Sequence, residues 1–152
     1  MTVFIQRRVC LEPRFLDSNI KQHILDKVSE DVTEECTQKH GYILRVSRIV
    51  RIISSEGAIF IVELEAETFK PIGGAEVEGT VCMVYQDGIF INIRDKQKML
   101  IPTSTLPEHR FDEVRRTFHV GDTEITVGDT IRAVVTAAKY SNGKFSCFGS
   151  LA

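Results

Sequence analysis

Phe69-Lys70-Pro71-Ile72-Gly73-Gly74-Ala75-Glu76-Val77-Glu78-Gly79-Thr80-Val81, running on through Cys82-Met83-Val84-Tyr85-Gln86-Asp87-Gly88-Ile89-Phe90-Ile91-Asn92-Ile93, marks the place where the chain changes domain. Pro71 has no N–H to give a sheet ladder, and Gly73-Gly74 loosens the backbone, so a strand ending at Phe69 stops there. A second β region starts at Val77, turns at Gln86-Asp87-Gly88 and runs back as an alternating strand. On that return strand Ile89, Ile91 and Ile93 share one face, and Phe90, Asn92 and Arg94 share the other. Three β-branched residues make a core face. An aromatic beside an amide and a cation is unusual for a purely structural outer face and is the first sign of a binding surface.

Upstream of this seam, Val3 to Leu11 reads as a strand ended by Pro13. Ile20, Ile24, Val28 and Val32, with Leu25 beside them, form a helical stripe that Asp17, Ser18 or Asn19 can cap. The helix's other faces carry Asp26, Glu30 and Asp31 against Lys21 and Lys27, either a solvated face or a docking surface for a basic partner. Tyr42 to Ile53 is a further strand, Ser54-Ser55-Glu56-Gly57 a turn, and the return strand alternates Val62, Leu64 and Ala66 with Glu63, Glu65 and Glu67. A hairpin centred near Glu56 sets Arg45 opposite Glu67. Ion pairing of this kind, or contact with an acidic partner, are the two readings of Arg45, Arg48 and Arg51. The first half is therefore a small α+β unit, taken as residues 1–76.

Residues 77–152 carry strands near Val77–Tyr85, Gly88–Ile93, Lys98–Ile101, Thr123–Ala138 (interrupted at Gly128-Asp129) and Lys144–Gly149. The only candidate helix lies in the loop after Pro107, and Ser141-Asn142-Gly143 is a strong hairpin signal. Five short strands with a long connection between the third and fourth predict a small all-β oligonucleotide-binding (OB-fold) barrel.

Across the 152 residues, 43% are hydrophobic and 26% charged, ordinary for a globular chain, and the net charge of -2 leaves nucleic-acid binding to a local patch. No apolar run is long enough for a membrane span or a signal peptide, so an intracellular location is expected. Cys10, Cys36, Cys82 and Cys147 are scattered and read as free thiols. His23, His40, His109 and His119 do not join them at metal-ligand spacing, and neither a phosphate loop nor a nucleophile elbow is present. No catalytic residue, metal or cofactor is expected.

The positive signal is the barrel's binding face. Barrels of this kind use their second and third strands and the loops joining strands one to two and four to five. Phe90, Asn92 and Arg94 fall on that face, Arg94, Lys96 and Lys98 line the loop to the third strand, and Lys139, Tyr140 and Lys144 sit at the last hairpin. Aromatics stack on bases while cations follow phosphates without reading sequence, which suits single-stranded RNA. In the alternative, Phe90 packs beneath the loop 103–120 and the lysines are simply solvated.

Several matches in order make the chain resemble the larger stalk subunit of multisubunit DNA-directed RNA polymerases, found in archaea and, as the seventh subunit, in eukaryotic polymerase II. They are Leu11-Glu12-Pro13-Arg14-Phe15 with Ile20-Lys21-Gln22, Cys36-Thr37 with Gly41-Tyr42-Ile43-Leu44, and the junction Phe69-Lys70-Pro71, Gly74 and Gly79-Thr80-Val81, then Gly88 and Phe90. The resemblance covers essentially the whole chain. It implies a tip domain that docks on the polymerase core near its clamp, with Phe69, Lys70, Pro71, Gly74 and Gly79 at the docking junction. It further implies a barrel of the ribosomal-protein S-one type facing nascent RNA, a smaller helical stalk partner, a role in initiation, and catalysis residing on other subunits. The location it implies is the nucleus for a cellular eukaryotic protein.

The chain departs from the family pattern in places. The connection between Ile52 and Phe60 is short, Glu34 and Gln38 replace glycines, and Gly74-Ala75-Glu76-Val77 shifts a junction glutamate by one. Asp87 and Pro102 stand where RNA-binding barrels carry an aromatic and a histidine, which thins the expected stacking platform around Phe90. The trimmed tip, and an end soon after the last strand, suit a divergent polymerase such as one encoded by a large DNA virus, with a virion, host-cytoplasmic or host-nuclear location. The competing expectation is a free-standing RNA-binding module in translation or RNA decay, which leaves the matches over Leu11–Leu44 unexplained.

Overall fold

The computed structural model describes every residue from Met1 to Ala152 and divides them into two units, Met1–Lys70 and Pro71–Ala152. The first unit consists of β1 (Thr2–Cys10), α1 (Ile20–Asp31), β2 (Cys36–Thr37), β3 (Gly41–Glu56) and β4 (Ile59–Phe69). Alternation on β4 decides its layering. Phe60, Val62, Leu64, Ala66 and Thr68 are buried while the residues between them are half-exposed. The sheet order is β1-β4-β3-β2, and Ile24 and Val28 of α1, with Val32 just after it, join Ile5, Val9, Val62 and Leu64 in one buried core. Instead of a side-chain cap at Asn19, Asp17 accepts the Asn19 N–H at 2.8 Å and the His23 ring nitrogen at 3.1 Å, closing the entry to the helix.

Strand β3 pairs with β4 in an unusual register. Arg45, Arg48 and Arg51 stand opposite Glu67, Glu65 and Glu63, while Val46, Ile49 and Ile52 stand opposite Ala66, Leu64 and Val62. The register slips once per step, so Leu44, Ser47, Val50 and Ile53 are each an extra residue. A three-residue repeat is thereby matched to a two-residue repeat, with a bulge at every step bending and twisting the strand. The expected pairing of Arg45 with Glu67 holds. The ion-pair reading of the other two arginines holds as well, with Arg48 Nε 3.2 Å from Glu65 and Arg51 3.7 Å from Glu63. The turn differs by position: Ser54 to Glu56 remain in the strand, and Gly57-Ala58 forms the loop, with Gly57 at φ +61.

The second unit holds β5 (Glu76–Tyr85), β6 (Gly88–Ile93), β7 (Gln97–Pro102), β8 (Arg110–Asp112), β9 (Thr117–Val120), β10 (Thr123–Ile125), β11 (Thr130–Ser141) and β12 (Lys144–Leu151). Five of them close into the barrel β11-β12-β7-β6-β5, in which β12 and β7 run parallel and β11 pairs back onto β5. This is the expected OB-fold. Ile89, Ile91 and Ile93 fill it together with Val81, Met99, Ile101 and Val135, all buried. Asn142 and Gly143, at φ +53 and +78, form the predicted hairpin turn between β11 and β12.

Two expectations in this half are corrected. Thr123–Ala138 is not one interrupted strand: Thr123–Ile125 belongs to a separate sheet, β10-β9-β8, and β11 begins only at Thr130. Asp129 makes the break, its carboxylate accepting the Thr126 N–H at 3.0 Å. The segment after Pro107 is not helical but a hairpin, because Phe111 pairs across to Phe118 with ring centroids 5.3 Å apart. Asp112 turns that hairpin by accepting the N–H groups of Val114 and Arg115.

Gly41 starts β3 at φ +74, where a Cβ would strike the Phe69 carbonyl and approach Lys70 Cα to 2.7 Å. Gly41→Ala is expected to destabilise the first unit by about 3 kcal/mol, combining left-handed strain with overlap against backbone. Thermal unfolding checks this; a melting temperature within a degree of the parent would contradict the β3–β4 register.

Candidate nucleic-acid interface

In a closed barrel each strand sends alternate residues inward, so the outer surface is assembled from the remainder. Phe90 lies opposite Met83 on β5 and opposite Leu100 on β7, and Leu100 in turn lies beside Phe148 on β12. Met83 and Phe148 are 51% and 46% exposed, so this row leaves apolar side chains in water. The next row is polar: Thr80, Asn92 and Lys98 stand side by side. Farther along β12, Ser146 pairs with Lys139, and Lys144 is exposed at the hairpin.

Phe90 has an aromatic neighbour that the sequence reading missed. Tyr85 stacks on it, with centroids 5.9 Å apart and ring planes 18° from parallel. The signal lies in the hairpin register. Tyr85 pairs with Gly88, whose missing side chain leaves the diagonal toward Phe90 open. The company expected from the positions of Asp87 and Pro102 is thus supplied from one strand over.

The other candidate residues fall as follows. Phe90, Asn92, Lys98, Lys139 and Lys144 belong to one run of neighbouring strands. Tyr140 turns away, its ring meeting the buried Phe145 edge-on at 5.1 Å. Arg94 lies beyond the end of β6 and Lys96 is half-buried in the β6–β7 turn, where its N–H donates to the Ile93 carbonyl. Arg94 and Asp95 sit at φ +54 and +57, consecutive left-handed residues without a glycine, each costing about 1 kcal/mol. Asn92 Nδ2 donates to Asp95 at 3.3 Å across this turn.

Of the junction residues, Gly79 lies against Asn92 of the polar row. Phe69 pairs with Tyr42 at the end of β4, Lys70 is exposed and Pro71 is buried. Gly74 donates its N–H to the Val135 carbonyl at 2.6 Å. Gly79 lets β5 and β6 approach closely, since a Cβ there would lie 3.0 Å from the Asn92 carbonyl. In the first unit a cleft of about 440 Å³ lies between the residues following β1 and α1, with the Phe15 ring flanked by Arg14 and His23. No cluster of three or more histidine, cysteine or carboxylate side chains is arranged to hold a metal.

Residues 70–147 match the model of the S1 RNA binding domain, and residues 6–62 match that of the SHS2 domain found in the N terminus of Rpb7p/Rpc25p/MJ0397. The class is therefore an SHS2 domain followed by an S1 barrel. A DNA-directed RNA polymerase II subunit RPB7 from Glycine max is 22% identical over 98% of this chain and 90% of its own. RPB7 of Saccharomyces cerevisiae is 32% identical over 66% of this chain and 63% of its own. RNA polymerase II subunit 7 of Arabidopsis thaliana is 28% identical, the match spanning 66% of this chain and 62% of that one. The chain belongs to this family, the larger stalk subunits of multisubunit RNA polymerases.

Burial raises the Cys36 thiol and pushes that of Cys147 up to about 11. Native alkylation with iodoacetamide at neutral pH is expected to label the exposed Cys10 and Cys82 and to spare Cys36 and Cys147. Peptide mass spectrometry reads the result, and labelling of Cys147 in the folded chain would contradict closure of the barrel along β12.

Proposed function

We propose that this chain is a non-catalytic stalk subunit of a multisubunit DNA-directed RNA polymerase, working in the nucleus where the relatives' polymerase II acts. Its SHS2 unit docks on the polymerase core near the clamp through the Phe69–Gly79 junction, and its barrel meets nascent RNA and supports initiation. A smaller stalk subunit completes the pair. The observation that carries this reading is the order of two domains in one chain, an SHS2 domain of the kind found at the N terminus of these subunits and then an S1 barrel. A free-standing RNA-binding module would have no use for the first.

The chemistry of the barrel supports the RNA contact. The row Met83, Phe90, Leu100 and Phe148 offers flat apolar surface with Tyr85 behind it. Lys98 and Lys139 border that row, Lys144 lies farther along β12, and all three follow a phosphate backbone without selecting sequence.

Affinity purification of the tagged full chain from its native cells is expected to recover the two largest polymerase subunits. Recovery of the chain only free or on ribosomes would overturn the stalk assignment. In the purified chain, Phe90→Ala is expected to weaken single-stranded RNA binding by about 1–3 kcal/mol. Lys144→Ala is expected to lower the slope of log affinity against log salt by about 0.7. Anisotropy titrations across a salt series test both, and unchanged affinities would move the RNA path off this face.

A further inference from the structure

Next to Phe90 on the outer face lies a groove of about 240 Å³, lined by Glu78, Thr80, Asn92, Arg94, Asp95 and Thr130. Asn92 is two residues along β6 from Phe90, a distance of about 6.6 Å. A base stacked on Phe90 therefore leaves the neighbouring base of an extended strand at the mouth of this groove. The groove's charges suit a base edge better than a phosphate. Glu78 is engaged by Arg132 at 3.9 Å, and Asp95 accepts the Asn92 amide at 3.3 Å. Arg94 supplies a guanidinium beside that carboxylate. Both are held by consecutive left-handed residues, where Asn-Gly would be the relaxed choice for such a turn.

We propose that this groove selects guanine at the position adjoining the base stacked on Phe90; the inference rests on the reading of the barrel as a single-stranded RNA binder. Guanine offers paired acceptors, O6 and N7, to a guanidinium. It also offers paired donors, N1–H and the 2-amino group, to a carboxylate. Adenine and uracil have no such pair of donors, and cytosine presents a single amino group. Asp95 takes the two donors, Arg94 reaches the acceptors, and the Asn92 amide holds Asp95 in place across the turn.

The test is anisotropy with the full chain and labelled RNA octamers of sequence (UG)4, (UC)4, (UA)4 and U8. (UG)4 is expected to bind about tenfold more tightly than the others, and replacing guanine by inosine, which lacks the 2-amino group, should lose much of that margin. Asp95→Asn exchanges one acceptor for a donor and suits a left-handed backbone, so the turn is kept. This variant should bind U8 at least as well as the parent and lose the preference for (UG)4. Equal affinities for all four octamers, a cytosine preference, or a guanine preference that survives Asp95→Asn each overturn the inference while leaving RNA binding intact. Failure of every octamer to bind overturns the inference and the RNA reading together.

Discussion

The first unit depends on a mismatch between two periods. β4 repeats every two residues, as any half-buried strand must, while β3 repeats arginine and branched apolar residues every three. The two fit only because β3 inserts one extra residue per step. That slip sets Arg48 and Arg51 beside Glu65 and Glu63, and at the same time turns Val46, Ile49 and Ile52 toward the helix-covered core. With the arginines more than half exposed, each ion pair contributes at most about 1 kcal/mol. Burial of the apolar row dominates the energetics, and the charge ladder selects which register brings it about.

The barrel faces a different constraint, namely closure. Once β11 pairs with β5 and β12 with β7, the inward positions are filled by Ile89, Ile91, Ile93 and Met99. The residues between them have nowhere to go but outward. Phe90 is therefore on the outside because its neighbours are inside. Its stacking on Tyr85 is a consequence of Gly88, the one position on that diagonal without a side chain.

Much of this was legible in the residues. The alternation of Val62, Leu64 and Ala66 with glutamates, the helical stripe from Ile20, the isoleucine face of β6 and the Asn142-Gly143 turn each express a local period or a backbone preference that packing left unchanged. What was not legible depended on pairing between distant segments. The bulges of β3 cannot be inferred from its own sequence, whose three-residue spacing reads as easily as a helix. The hairpin from Arg110 to Val120 draws its stability from Phe111 meeting Phe118, a cross-strand contact that no window of local propensity contains. Tyr85 was overlooked for the same reason, its value lying in the residue it faces. The contact of Tyr140 with Phe145 likewise depends on the register of β11 against β12.

Pairing also separates the β3 arginines from the lysines on the barrel's outer strands. Arg48 and Arg51 are compensated by the β4 glutamates, and Arg7 is held by both oxygens of Glu35 at 2.9 and 3.0 Å. A polyanion approaching that surface would have to compete with carboxylates already in place. On the barrel, Lys98, Lys139 and Lys144 are exposed without acidic partners; Lys98 and Lys139 border the apolar row that contains Phe90, and Lys144 lies farther along β12. A chain whose total charge is -2 thus concentrates uncompensated positive charge where flat apolar surface is also exposed. Neither feature alone would distinguish this face from ordinary protein surface, because scattered lysines and single exposed apolar residues are common. Their adjacency on one run of strands is what favours a partner that is at once anionic and aromatic.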